Sequence, residues 1–132
     1  MKIIKQLTVF LQNEAGRLEE LTKTLGENSI NISAISLAEA SDFGVARMIL
    51  DDYEKAQKIL KEVGFSANLV DVLCIETPDS PGALYEALKK LAKEDINVSY
   101  MYGYSNNGVA PMIMKVSDPK RALEVLGYNI NK

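Results

Sequence analysis

This chain is written twice, and that duplication constrains its fold more than any other feature. Sliding the sequence by 66 residues lays Leu7–Ser33 over Leu73–Ser99 without a gap, and nine of those 27 positions are identical. The identities include Gly16/Gly82, Leu18/Leu84, Leu25/Leu91, Ile30/Ile96 and Asn31/Asn97. After a two-residue deletion the match resumes with Gly44–Ile49 over Gly108–Ile113, and both copies later reach Gly-aromatic, at Gly64-Phe65 and Gly127-Tyr128. A length of 132 residues would suit one average domain. The repeat divides it instead into two small units, 1–70 and 71–132.

Each copy carries the same order of elements. Leu7, Val9 and Leu11 alternate with other positions, as Leu73 and Ile75 do, and predict a first strand. A turn ending in Gly16 or Gly82 precedes a helix with Leu18, Leu21 and Leu25 on one face, or Leu84, Leu88 and Leu91. Ile30–Ala38 and Ile96–Tyr104 read as second strands, and Val45–Leu50 and Val109–Val116 as third strands. The turn between them in the second copy contains Asn107-Gly108, a strong type I′ hairpin signal. Second helices carry Ala56, Ile59, Leu60 and Val63, or Ala122, Leu123 and Leu126 after Pro119. Gly64 and Gly127 stop them, and a short last strand follows each. The expected fold is α+β, two ferredoxin-like βαββαβ units with their helices on one face. About 60–65 residues per copy is marginal for an isolated fold. No Gly/Ser linker intervenes, so the edge strands are expected to pair into one extended antiparallel sheet.

Composition removes several chemistries. Without histidine, the usual neutral-pH base and zinc ligand are missing. One cysteine forms neither an intrachain disulfide nor a thiolate cage, and Cys74 reads as a small hydrophobe on a strand. A net charge of −3 disfavours nucleic acid as a partner. The first residues resemble no signal peptide, and no apolar run is long enough for a membrane span. A reducing cytoplasm is the expected location. No cofactor or metal is expected: no phosphate loop occurs, and Asp51-Asp52 reads as a strand end and a helix cap.

Identities outside the core gather where the first strand turns into the first helix. A helix N-terminus leaves backbone N–H groups unpaired and attracts anions such as carboxylates. Asn31 and Asn97 open the second strand, and an amide can pair with both ends of a zwitterion. The plainer readings are that Asn13 and Asp79 cap their helices, the glycines permit tight turns, and the asparagines bond loop backbone. Lys89-Lys90 and Glu19-Glu20 read as solvated helix faces.

Asp79-Ser80-Pro81-Gly82, followed after thirteen residues by Ile96-Asn97-Val98, resembles the ACT domain family. The first copy shows Asn13-Glu14-Ala15-Gly16 and Ile30-Asn31-Ile32 at the same spacing. The resemblance spans essentially the whole chain as a tandem pair. It implies a non-catalytic regulatory protein that binds a free amino acid or similar small zwitterion between paired domains. It further implies one site at Asn13, Glu14, Ala15, Gly16, Arg17 and Leu18 with Asn31 and Ile32. The other would comprise Asp79, Ser80, Pro81, Gly82, Ala83 and Leu84 with Asn97 and Val98. Ala15 stands where the family usually has proline, and Glu14 and Arg17 make the first loop charged, which sets the two sites apart in expected affinity.

Tyr100, Tyr102 and Tyr104 form an aromatic stripe where the first copy has Ala34, Ser36 and Ala38. Packing or a homodimer surface is the favoured reading, ahead of a ligand wall or a base-stacking platform. The expected mechanism is linkage: ligand bridging the two units changes affinity for a partner or a second copy. The alternatives are a ligand-independent interaction module, such as the regulatory subunit of an amino-acid biosynthetic enzyme, and a small ferredoxin-like enzyme.

Overall fold

The computed structural model describes residues 1–105 and 107–127. The order of elements is β1 (Lys2–Gln12), α1 (Arg17–Glu27), β2 (Ile32–Ala40), β3 (Phe43–Leu50) and α2 (Tyr53–Glu62). These are followed by β4 (Ser66–Pro78), α3 (Ala83–Lys93), β5 (Val98–Gly103), β6 (Val109–Val116) and α4 (Pro119–Val125). The βαββα pattern therefore recurs, and the fold is α+β with two ferredoxin-like units. By its contacts the chain divides into Lys5–Val70 and a second unit made of Met1–Ile4 with the residues from Asp71 onward. The short strand expected after Gly127 lies outside the described residues.

In the first unit the strand order is β2-β3-β1, and Ser66–Val70 of β4 adds a strand beside β1. Leu7 pairs with Met48 and Val9 with Ala46 in antiparallel register, so the alternating apolar residues of β1 and β3 share one face. Leu21 and Leu25 from α1 and Ala56 and Leu60 from α2 close over that face. Each fully buried leucine there contributes roughly 1.5–3 kcal/mol. Val63, expected on the apolar stripe of α2, is exposed, because it is the C-cap residue.

The second unit repeats this with strand order β4-β6-β5. Leu73 pairs with Met114, Ile75 with Met112, and both strands face a core closed by Leu91, Ala122 and Leu123. Ile3 packs against the same core, so residues from the start of β1 help complete this unit. Its first helix buries less than α1, since Ala87 replaces Leu21 and leaves Leu91 as the one fully buried residue of α3.

Local chemistry explains the ends. Asp52 and Asp118 cap α2 and α4 by accepting from the N–H groups of Lys55 (3.2 Å) and Arg121 (3.1 Å), and Pro119 fills the first turn of α4. Helices α1 and α3 end on left-handed Ser29 and Asp95, after which Ile30 and Ile96 donate back to Leu25 and Leu91. Asn107 and Gly108 both have positive φ, as a type I′ turn requires. The second strands start and end differently from expectation: β2 runs two residues further, to Ala40, and β5 stops at Gly103. Tyr104 thus leaves the stripe, beyond β5 and 58% exposed. Tyr100 and Tyr102 stay on the strand, half-buried and opposite Lys115 and Ile113.

Candidate functional site

The two strand-to-helix turns have one backbone design. Gly16 and Gly82 occupy the N-cap positions of α1 and α3 with φ of 89° and 84°, a left-handed conformation that L side chains adopt only with strain. Neither helix has a side-chain cap: the N–H groups of Arg17 and Ala83 donate back to Glu14 O and Ser80 O at 3.4 and 3.2 Å, and the next N–H groups of the first turn are left without a capping side chain. This corrects the capping role expected of Asn13 and Asp79. Three residues upstream of the glycine, both reach the neighbouring hairpin instead. Asn13 donates its N–H to Asp42 O at 2.9 Å and its side-chain amide to Ser41 O at 3.5 Å. Asp79 donates its N–H to Gly108 O at 2.9 Å, and its carboxylate accepts from the Ser105 hydroxyl.

Beside the second turn is a concavity of about 500 Å³, within the second unit. Ser80, Pro81, Gly82 and Ala83 form one wall, and Ile75, Thr77, Ala87 and Leu126 add mainly apolar surface. Glu76, Glu86 and Lys90 bring charge of both signs to its rim. Glu86 is also paired with Lys89 at 3.1 Å. Glu86, Ala87 and Lys90 were not anticipated from sequence. The signal was present: with Ala83 they follow helical i, i+3, i+4, i+7 spacing from the turn, so they share its face. Asp79 and Leu84 are not among the lining residues, and Leu84 packs on the core.

The first turn leaves a different space. Arg17 stands where the second copy has Ala83, and its guanidinium lies 5.2 Å from the Phe65 ring centre and 2.6 Å from the Glu20 carboxylate. A smaller concavity of about 200 Å³ opens on the other side of the turn. It is lined by Asn13, Glu14 and Leu18 with Leu37, Ala38 and Glu39 of β2. Ala15, Gly16 and Arg17 are not part of that lining.

Within each unit the structure does not bring the asparagines to these turns. Helix α1, 11 residues and roughly 16 Å long, carries the chain to the opposite end of the sheet before Asn31 and Ile32. There Asn31 and Asp51 clasp each other: Asn31 N–H donates to the Asp51 carboxylate at 3.0 Å and Asp51 N–H to Asn31 O at 3.3 Å. In the second unit Asn97 makes the same clasp with Ser117, at 3.0 and 2.9 Å, and Val98 packs against the core. Asn31 and Asn97 are exposed.

A third concavity, between α3 and α4, is lined by Lys90, Lys93, Glu94, Arg121 and Glu124. Arg121 is held by Glu94 at 3.0 Å and Glu124 at 3.5 Å, which raises its pKa. Among the described residues no group of three or more Cys, Asp or Glu could hold a metal ion. None of their helices is long and apolar enough to cross a membrane.

Residues 1–131 match the profile of the ACT domain pair. The chain belongs to this family. ACT domains are regulatory, amino-acid-binding modules, and the tandem arrangement accounts for the duplication. None of the curated proteins matches the chain. Among solved structures, protein BT0572 from Bacteroides thetaiotaomicron is 43% identical, with a TM-score of 0.90 over 94% of this chain and 86% of that one. The ligand-free regulatory subunit of aspartate kinase from Thermus thermophilus is 14% identical, with a TM-score of 0.71 over 95% of this chain and 93% of that one. The corresponding subunit from Thermus flavus is 15% identical, with a TM-score of 0.68 over the same shares. At such identity these two subunits share the fold of the ACT domain pair.

Proposed function

We propose that this ACT domain pair is a non-catalytic cytoplasmic regulator that senses a free amino acid at its glycine turns. The observation that carries the reading is the twice-built turn: a left-handed glycine opens an uncapped helix end beside a concavity. The open N–H groups suit an α-carboxylate. In the second unit, carboxylates of Glu76 and Glu86 stand within the same lining for an ammonium group, and the apolar wall suits a side chain. A volume of about 500 Å³ lies within the range of small-molecule sites. Binding would act by linkage, favouring one state of the protein and so its affinity for a partner.

Isothermal titration of the twenty amino acids into the purified protein tests this. Heat from one or a few of them, abolished by Gly82→Ala in a protein that remains folded, is the expected result. No binding of any amino acid at millimolar concentration refutes it. A second reading, a regulatory subunit that grips a biosynthetic enzyme without a ligand, is favoured by the fold shared with aspartate kinase regulatory subunits. Co-purification of an enzyme in ligand-free buffer, unchanged by added amino acids, would favour it over the first.

A further inference from the structure

The two units share a turn but not the helix face beside it. In the second unit that face is Ala83, Glu86, Ala87 and Lys90, all lining the concavity of about 500 Å³. A shift of 66 residues lays them over Arg17, Glu20, Leu21 and Thr24 of α1. Both alanines are therefore replaced by large side chains, and Leu21 is fully buried. An arginine at a helix start can extend its head into water. Arg17 does not: its side chain is only 30% exposed, and its Nε is buried without a hydrogen-bond partner. A buried, unpaired donor is costly, so other contacts hold the side chain inward. The guanidinium lies 5.2 Å from the ring centre of buried Phe65, and its Nη1 lies 2.6 Å from the Glu20 carboxylate.

We propose that Arg17 is a built-in occupant of the first glycine turn, so that the chain takes up one amino acid, at the second turn, rather than two. This rests on the amino-acid reading proposed above and narrows it to the second unit. The Arg17 cation sits on the counterpart of Glu86, a carboxylate offered at the second turn to an ammonium group. An incoming ammonium group at the first turn meets a carboxylate already paired and a positive charge beside it. The stem of Arg17 covers ground that Ala83 leaves open. Lys90, a cation on the second rim, has only Thr24 as its counterpart in the first unit. The space on the other side of the first turn is no substitute. It measures about 200 Å³, and its two charged lining residues, Glu14 and Glu39, are both carboxylates, which repel an α-carboxylate.

Ethylguanidinium, the portion of the side chain that Arg17→Ala removes, tests the occupancy without reference to any amino acid. It should bind Arg17→Ala saturably at millimolar concentration, about 10-fold tighter than it binds the wild type, read by isothermal titration and thermal shift. Ethylurea, its uncharged analogue, should bind neither protein. Titration of the twenty amino acids should give one site per chain in the wild type. Ala83→Arg, which puts the same side chain into the second turn, should abolish that site while circular dichroism stays near wild type. Equal binding of ethylguanidinium to both proteins overturns the proposal, as does its failure to bind a folded Arg17→Ala variant. So do two amino acids bound per wild-type chain, or amino-acid binding that survives Ala83→Arg. If no amino acid binds the wild type, the functional reading fails, and the ethylguanidinium comparison decides whether Arg17 fills the first turn.

Discussion

Replacing Gly82 with alanine separates backbone strain from crowding, because the site offers strain alone. The residue has φ +84°, and a Cβ built there meets no atom within 4 Å. A left-handed L-residue costs about 1–2 kcal/mol. Alanine also stiffens the unfolded chain and so returns about 0.4–1 kcal/mol. The net loss expected is about 1 kcal/mol. Gly16, at φ +89° with the same open surroundings, should lose the same amount. Urea unfolding followed by circular dichroism reads this directly. With an m-value of roughly 1–3 kcal/mol/M, each midpoint should fall by roughly 0.3–1 M. Gly82→Asn should lose less, since asparagine tolerates the left-handed region. An unchanged or raised midpoint for Gly82→Ala would refute the reasoning. So would a loss at Gly16 well outside that at Gly82, because the two turns would then not be equivalent.

Other outcomes follow from neighbouring features. Gly103→Ala should destabilise by about 1–3 kcal/mol through overpacking, since its Cβ would meet the Met112 sulfur and stand 2.5 Å from Pro111 O. The same urea series should place it below Gly82→Ala. Asp52→Ala and Asp118→Ala should each lose about 1 kcal/mol by removing the caps of α2 and α4, measured as thermal shifts. Burial pushes the Cys74 thiol up, against the opposing charges of Lys2 and the N-terminal amine. Alkylation by iodoacetamide at pH 8 should therefore be slower than for an unfolded peptide thiol, and denaturant should abolish the difference. The folded state holds that proton more tightly. The associated stability is complete below the ordinary thiol pKa and declines as pH rises from there through the raised one.

Much of this architecture was legible because the repeat supplied each element twice. Gly16 and Gly82 could be read as turn residues, and Asp52 and Pro119 as helix starts, since cap and φ preferences are local. Strand lengths were less legible. Nothing between Ser66 and Pro78 breaks a strand, so the expected pair of short strands is one 13-residue β4. The cap predicted at Asn13 fails because Gly16, three residues on, takes the N-cap position, and the Asn13 amide donates instead to Ser41 O in the β2–β3 turn. Asn31 and Asn97 recur at one offset from their glycines, and the 11-residue helix between sets each apart from the turn of its own unit, a separation that spacing along a chain does not reveal. The stripe of Ala83, Glu86, Ala87 and Lys90 was present in the sequence as ordinary helix periodicity, and only the turn beside it gives that face a use.

The assignment of Met1–Ile4 to the second unit has a consequence for how the protein is made. Lys5–Val70 is one uninterrupted stretch, free to fold as soon as it has left the ribosome. Met1–Ile4 emerge before that stretch and find their neighbours after it, when β4 and the elements that follow have been synthesised. Ile3 must wait for the core cluster that includes Leu73, Leu91 and Met114, and packing of such long sequence separation forms slowly. Synthesis order and folding order therefore run in opposite directions for this segment. An affinity tag fused to Met1 burdens the unit built from the far end of the chain.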